Sequence, residues 1–227
     1  MSDELVRYEL RDDVALLHFD DGKANVFSPA SISALTTSLD RAEKEAKAVV
    51  VIGREGRFSA GFDLSVMTQG GDAVGKLVRA GAELAIRFYS SPLPTLAAST
   101  GHSLAMGAVL LLALDERFAA EGNAKIGLNE TAIGMTLPHF ALILARERLA
   151  PTHLGRATSN AEIYSPAGAV EAGFIDRLVP AGELLDRTLE RAKELTALDG
   201  RAHANTKLRV RAASLELLRE SLSEFGG

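Results

Sequence analysis

One carboxylate stands where the chain is otherwise apolar. Residues 126–131 read IGLNET, and Glu130 is followed by TAIGMTLP at 131–138. Such a group either turns outward to solvent or faces a closed cavity. In a cavity, burial raises a carboxyl pKa toward neutrality, which suits a base that must later act as an acid. A second candidate is Ser103, in GHSLA (101–105). It follows an apolar strand-like run and precedes a helix-like one, the setting of a G-x-S-x-G nucleophile elbow. Asp176 and His203 would complete a triad in chain order, and the chemistry would be ester hydrolysis on an α/β-hydrolase frame. Against this, Ala105 replaces the last glycine, no HGGG-type loop lies upstream, and His203 sits in the polar, helix-like DGRAHANTK. His18, His102, His139, His153 and His203 show no H-x-x-x-H or H-x-H spacing, so no metal site is expected. The absence of Cys excludes thiol nucleophiles and disulfides, and fits a reducing compartment.

The elements that must position these residues follow from periodicity. Val6–Leu10 and Val14–Phe19 read as a hairpin. Ser28-Pro29 opens a helix, with a hydroxyl cap and proline at the first helical position, and Ile32, Leu35, Leu39 and Ala42 follow on one face. Ala48–Ile52 (AVVVI) has the continuous apolar character of a buried parallel strand. GREGRFSAGFDLSVM is expected to be a glycine-rich loop entering a helix, and Ala73–Phe88 a longer helix. Thr95–Thr100 reads as a strand, Gly101–Ala105 as a turn, and Met106–Leu114 as a buried helix. Arg117–Ala120, Lys125–Leu128 and Ile175–Val179 read as short strands. Helices are expected at His139–Arg148, Pro151–Ser159, Pro166–Ala172, Gly182–Leu198 and Arg201–Phe225. Strand–helix alternation over the first part implies parallel pairing, with ligand sites at strand-to-helix junctions. Two such junctions stand out, at Gly53–Leu64 and Gly101–Gly107.

The chain has 227 residues, of which 47% are hydrophobic, long enough for a sizeable core in one large domain. Its net charge of −5 comes with scattered Lys and Arg, which argues against nucleic acid or an anionic membrane as a partner. The start, MSDELVRYEL, lacks the pattern of a signal peptide, and the longest apolar run, Leu104–Leu114, is too short to span a bilayer. A soluble cytoplasmic protein is expected.

Three segments taken together are distinctive: RFSAGFDL (57–64), GHSLAMGAVLLLALDERFA (101–119) and KIGLNETAIGMTLP (125–138). They resemble the crotonase superfamily, also called the enoyl-CoA hydratase/isomerase family. The resemblance carries the ordered motifs F-S-A-G-x-D-L, G-x-x-x-x-x-G-x-x-L-x-L-x-x-D and a glutamate followed by x-x-I-G, and extends in weaker form from Val6 to Val179. It implies an α/β fold, the crotonase-type spiral of ββα units with a helical C-terminal region. Residues 1–180 would form the acyl-CoA-binding core. Residues 181–227 would provide oligomerisation, as a homotrimer or dimer of trimers, and cover the active site.

The resemblance further implies an acyl-CoA thioester substrate, with no separate cofactor because coenzyme A belongs to the substrate. An oxyanion hole for a thioester enolate would be made by the N–H groups of Phe62 and Met106. Many relatives have glycine at the Met106 position, so its side chain is expected to narrow the acyl pocket. Hydratases of the family hold a water between two glutamates. Here one corresponds to Glu130, while the other position is Val109, which takes no proton. A lone carboxylate suits the Δ3,Δ2-enoyl-CoA isomerase reaction of fatty acid oxidation, and IGLNET is similar to the corresponding isomerase segment. Hydration, another crotonase reaction, or idle CoA binding are the alternatives. Substrate contacts are expected at Lys23, Ala24, Ala60, Leu64 and Val109, with Lys207 and Arg211 as further phosphate partners on the same or a neighbouring subunit. Asp63 is expected to cap a helix and Asp115 to be a buried, hydrogen-bonded carboxylate.

Overall fold

A computed structural model describes residues 5–225. It opens with β1 (Val6–Arg11) and β2 (Val14–Phe19), an antiparallel pair across Asp12 and Asp13, both at positive φ (49° and 64°). A two-residue hairpin requires that geometry. There follow β3 (Val26–Phe27), α1 (Pro29–Glu45), β4 (Ala48–Ile52), β5 (Gly56–Ser59), β6 (Gly61–Phe62), α2 (Leu64–Met67) and α3 (Gly71–Ser90). Next come β7 (Thr95–Ser99), β8 (Gly101–Leu104), α4 (Met106–Ala113), β9 (Glu116–Ala120) and β10 (Ile126–Gly127). After a 3-10 turn at Thr131–Ile133 lie α5 (His139–Arg148), α6 (Pro151–Ala157), α7 (Pro166–Ala172) and β11 (Arg177–Val179). A 3-10 turn at Ala181–Glu183 leads to α8 (Leu184–Leu195), α9 (Gly200–Val210), α10 (Ala212–Ser221) and a final 3-10 turn, Leu222–Phe225.

The six-stranded sheet runs β1-β2-β4-β7-β9-β11, parallel beyond the first hairpin. A second sheet, β10-β8-β5, and a third, β3-β6, are also parallel. Each turn of the chain gives one strand to the large sheet and the next to a small one, before a helix returns: β2 then β3, β4 then β5 and β6, β7 then β8, β9 then β10. This is the expected α/β spiral of ββα units followed by helices.

Strand β4 shows why AVVVI needs apolar residues throughout. Val49 and Val51 face the main core with Leu17, Leu35 and Ala97, while Ala48, Val50 and Ile52 face a second core closed by Leu184 and Ala192 of α8. Residues alternate faces along a strand, so a sheet covered on both sides is apolar at every position. Residues after 180 are thus part of the packing: α8 covers the outer face of the large sheet, and α10 lies on α5 and α3.

Three sequence expectations are corrected. The glycine-rich loop expected over residues 53–67 contains strands β5 and β6, which pair with β8 and β3. Gly101–Leu104 is strand β8, not a turn, since it pairs with Gly56–Ser59 on one side and Ile126–Gly127 on the other. Its glycine serves close approach: a methyl group at Gly101 would lie 2.0 Å from the Gly56 carbonyl carbon. The single helix expected at Arg201–Phe225 breaks at Arg211 (φ −96°, ψ 4°) into α9 and α10. Arg211 gives up helical geometry while its guanidinium donates to the Tyr89 carbonyl at 2.6 Å.

Candidate active site

Strand β6 brings the FSAGFDL segment against the start of α4. Gly61 has φ +99°, and a methyl group there would lie 2.8 Å from Ala105 Cβ and 3.5 Å from the Met106 amide nitrogen. Only glycine allows both that backbone and that approach. The Asp63 N–H donates to the Phe27 carbonyl on β3. Successive N–H groups of an extended chain point to opposite edges, so the Phe62 N–H leaves β6 on the side of α4. Asp63 then caps α2, its Oδ1 accepting the Ser65 N–H at 2.8 Å.

Met106 is the first residue of α4, where N–H groups lack intrahelical partners and the helix dipole is positive. Ala105 before it is held at φ 48°, ψ −124°, a strained position for a residue with a Cβ. Its N–H donates to the Gly127 carbonyl at 3.1 Å and its carbonyl accepts the Val109 N–H at 3.0 Å. The first bond ties the start of α4 to β10, the strand that leads to Glu130, and the second begins the helix. Gly107 lets α4 sit on β5, since a methyl group there would lie 2.7 Å from the Ser59 carbonyl oxygen.

Glu130 is only 8% exposed. Its carbonyl accepts the N–H groups of Ile133 (3.0 Å) and Met135 (2.9 Å), and Gly134 (φ 80°) ends the tight turn that fixes it. Its Oε2 is buried without a hydrogen-bond partner among the described residues, as is the Oδ1 of Asn129 beside it. Burial pushes the Glu130 carboxyl up from 4.5 to about 7, against a small opposing pull from its own backbone N–H. An unpartnered, desolvated carboxyl costs folding free energy, so its placement points to chemistry rather than stability.

Glu130 lines a cavity of about 490 Å³ together with Ala24, Ala60, Phe62, Leu64, Met106 and Val109. Seven of the ten residues named as acyl-CoA site candidates therefore share one space. Lys23 is exposed outside it, and its carbonyl accepts from Arg54 Nη1 at 2.6 Å. The loop carrying Ala24 is held by Asp21, whose carboxylate accepts the N–H groups of Lys23, Asn25 and Val26 at 2.7, 2.8 and 2.8 Å. The Met106 side chain is buried, and its Sδ and the Phe62 ring both lie beside Gly81. Sequence reasoning missed Asn129 and Phe225. The first was legible as a polar neighbour of the carboxylate in an apolar run; the second had no local signal.

Lys207 and Arg211 are corrected. Lys207 Nζ and Arg211 Nη2 each stand 2.7 Å from the Asp115 carboxylate, and both cations are buried. Neither is free to meet a phosphate on this chain. Asp115 is hydrogen-bonded as expected, with its side chain mostly buried at 15% exposure. The triad around Ser103 does not form. Ser103 is fully buried in β8 against Ser99 Oγ (2.9 Å), Asp176 is held by Arg117, and His203 lies on α9.

The profile of the enoyl-CoA hydratase/isomerase family matches residues 9–223. This chain belongs to that family. Among its relatives, Homo sapiens enoyl-CoA delta isomerase 1, mitochondrial, is 28% identical over 90% of this chain and 70% of its own length. A Bacillus subtilis (strain 168) protein named as a probable enoyl-CoA hydratase is 31% identical over 90% of this chain and 78% of its own. A crystal structure of an enoyl-CoA hydratase/isomerase family protein from Pseudomonas syringae superposes with a TM-score of 0.96 at 42% identity, over 98% of this chain and 96% of that one. Family membership makes this chain an enzyme of the enoyl-CoA hydratase/isomerase type, and its relatives include both isomerases and hydratases.

Proposed function

We propose that the enzyme is a Δ3,Δ2-enoyl-CoA isomerase in which Glu130 is the only acid–base group. The observation that carries this reading is the solitary, desolvated carboxyl of Glu130 in a cavity whose Val109 wall cannot exchange protons. In the ionised state Glu130 removes a proton from C2 of a 3-enoyl-CoA. The electron pair moves into a dienolate whose oxygen accepts hydrogen bonds from the Phe62 and Met106 N–H groups. Glu130 then returns the proton to C4, the double bond settles between C2 and C3, and the carboxylate is regenerated. Atoms balance without water or cofactor. Losing one such donor typically costs about 3–4 kcal/mol of barrier. A carboxyl near neutrality serves both halves of the shuttle. Coenzyme A enters as part of the substrate, with Ala24, Ala60 and Leu64 along its path.

Hydration is the second reading, favoured by the Asn129 Oδ1, a buried acceptor without a partner among the described residues that can hold a water next to Glu130. Supplying 3-enoyl-CoA and 2-enoyl-CoA in parallel separates the two. Isomerised product from the first, with slow or no hydration of the second, is expected. A preference for hydration would overturn the isomerase assignment.

A further inference from the structure

We propose that Phe225 is the end wall of the acyl pocket and sets the length of the acyl chain it accepts. The proposal rests on the acyl-CoA reading above and adds the determinant of its chain length.

Every other residue lining the cavity lies between positions 24 and 141; Phe225 alone arrives from the last turn of the described chain. It is held there from two sides. Its ring meets Phe140 edge-on with centroids 6.2 Å apart, and its carbonyl lies 3.6 Å from where a side chain at Gly75 of α3 would begin. The preceding residue repeats the arrangement: Glu224 pairs with the His139 ring and accepts the His139 N–H at 3.4 Å. Consecutive residues of the last turn thus clamp consecutive residues at the start of α5, 224 on 139 and 225 on 140. The surrounding wall is apolar, with Val74 and Val78 from α3, Val109 from α4 and Ala141 from α5. The thioester end of a substrate has polar partners at Glu130 and the two amides. An alkyl tail therefore lies along the apolar wall that Phe225 completes.

Each methylene a cavity can bury strengthens binding about fourfold, and the gain stops where the wall begins. The test measures affinities for saturated acyl-CoAs from butyryl to palmitoyl by calorimetry, with isomerisation of 3-enoyl-CoAs of the same lengths alongside. In the wild type, affinity climbs with length and then levels off. Phe225→Ala moves the levelling-off point at least two carbons further, raising the long-to-short affinity ratio roughly tenfold, and Phe225→Trp moves it the other way. A uniform loss at all lengths, or profiles that coincide with the wild type in both variants, would overturn the ruler. Failure of every 3-enoyl-CoA to react would sink the isomerase reading instead, while the binding series still decides the role of Phe225.

Discussion

Glu130 is costly to the fold and necessary to the proposed chemistry, and the two roles separate experimentally. Its carboxyl titrates near 7 when folded against an ordinary 4.5. The folded chain therefore keeps the proton across a window in which the unfolded chain has released it. Stability is full below about 4.5 and declines as pH climbs to about 7, by roughly 3 kcal/mol at the plateau. Glu130→Gln removes that dependence. At pH 8 the variant is expected to unfold at higher urea than the wild type, with the difference shrinking toward pH 4.5. Isomerisation should fall at least 100-fold in the same variant. In the wild type, kcat/KM should rise with pH through about 7 and then level off, because the base must be ionised. A flat profile between pH 5.5 and 8.5 would contradict the assignment of Glu130 as that base. Residue-scale features of this kind were legible in the sequence because they are local. The apolar run before it, with Ile126 and Leu128 fully buried, leads the carboxylate to a cavity wall, although residues 131–136 after it are exposed.

At the scale of elements, the site depends on glycines that let backbone and side chains approach closely. Gly81 lies inside α3, where glycine costs about 1 kcal/mol relative to alanine, yet the space beside it is occupied. A methyl group there would lie 2.5 Å from Cε1 and Cζ of Phe62 and 3.5 Å from Met106 Sδ. Gly81 is thus the socket in which the Phe62 ring rests, beside both residues assigned to the oxyanion hole. In Gly81→Ala the ring must swing aside, which a flexible side chain does at little cost, while the helix gains propensity. The melting temperature is expected to stay close to the wild type or rise, while kcat drops by one to two orders of magnitude. Phe62→Leu in the same chain should restore part of the loss by vacating the clash; an unimpaired Gly81→Ala enzyme would show that ring placement is irrelevant. This was hidden from the sequence, because Gly81 and Phe62 sit on separate elements with no shared pattern. Local pattern revealed α1, β4 and α5, whose signals lie within their own residues. It misread β8, whose pairing with Gly56 and Ile126 is long-range, and Gly-His-Ser on its own has the composition of a turn.

At the scale of the whole molecule, one carboxylate joins the sheet to the C-terminal helices. Asp115 follows α4, and its Oδ2 accepts the Thr95 N–H at 2.8 Å and Lys207 Nζ at 2.7 Å, while its Oδ1 meets Arg211 Nη2 at 2.7 Å. Burial pushes the Asp115 carboxyl up, but Lys207 and Arg211 outweigh it and hold the group below its usual range. Burial pulls the Lys207 ammonium down, and the attraction of Asp115 only partly offsets this because Arg211 and Arg148 repel it. A single anion thus faces more positive charge than it neutralises. The sequence offered Lys207 and Arg211 as free cations because their counter-ion lies about a hundred residues earlier, and no local pattern links them. Among the described residues Asp115 is the only carboxylate that holds both cations, so Asp115→Asn leaves them buried without a counter-charge, with the Leu93 and Tyr89 carbonyls as their remaining acceptors. Breaking such a pair from one side costs about 3–5 kcal/mol. For a chain of this size that is a fall in melting temperature of roughly 10 °C or more. The same change frees α9 and α10, the helices that lead to Phe225. Long-chain acyl-CoA binding should therefore lose its levelling-off before the enzyme unfolds, measured at a temperature where circular dichroism still reports the native state. A variant that melts with the wild type would show that the three-way contact stabilises nothing, and that the C-terminal helices are held by apolar packing alone.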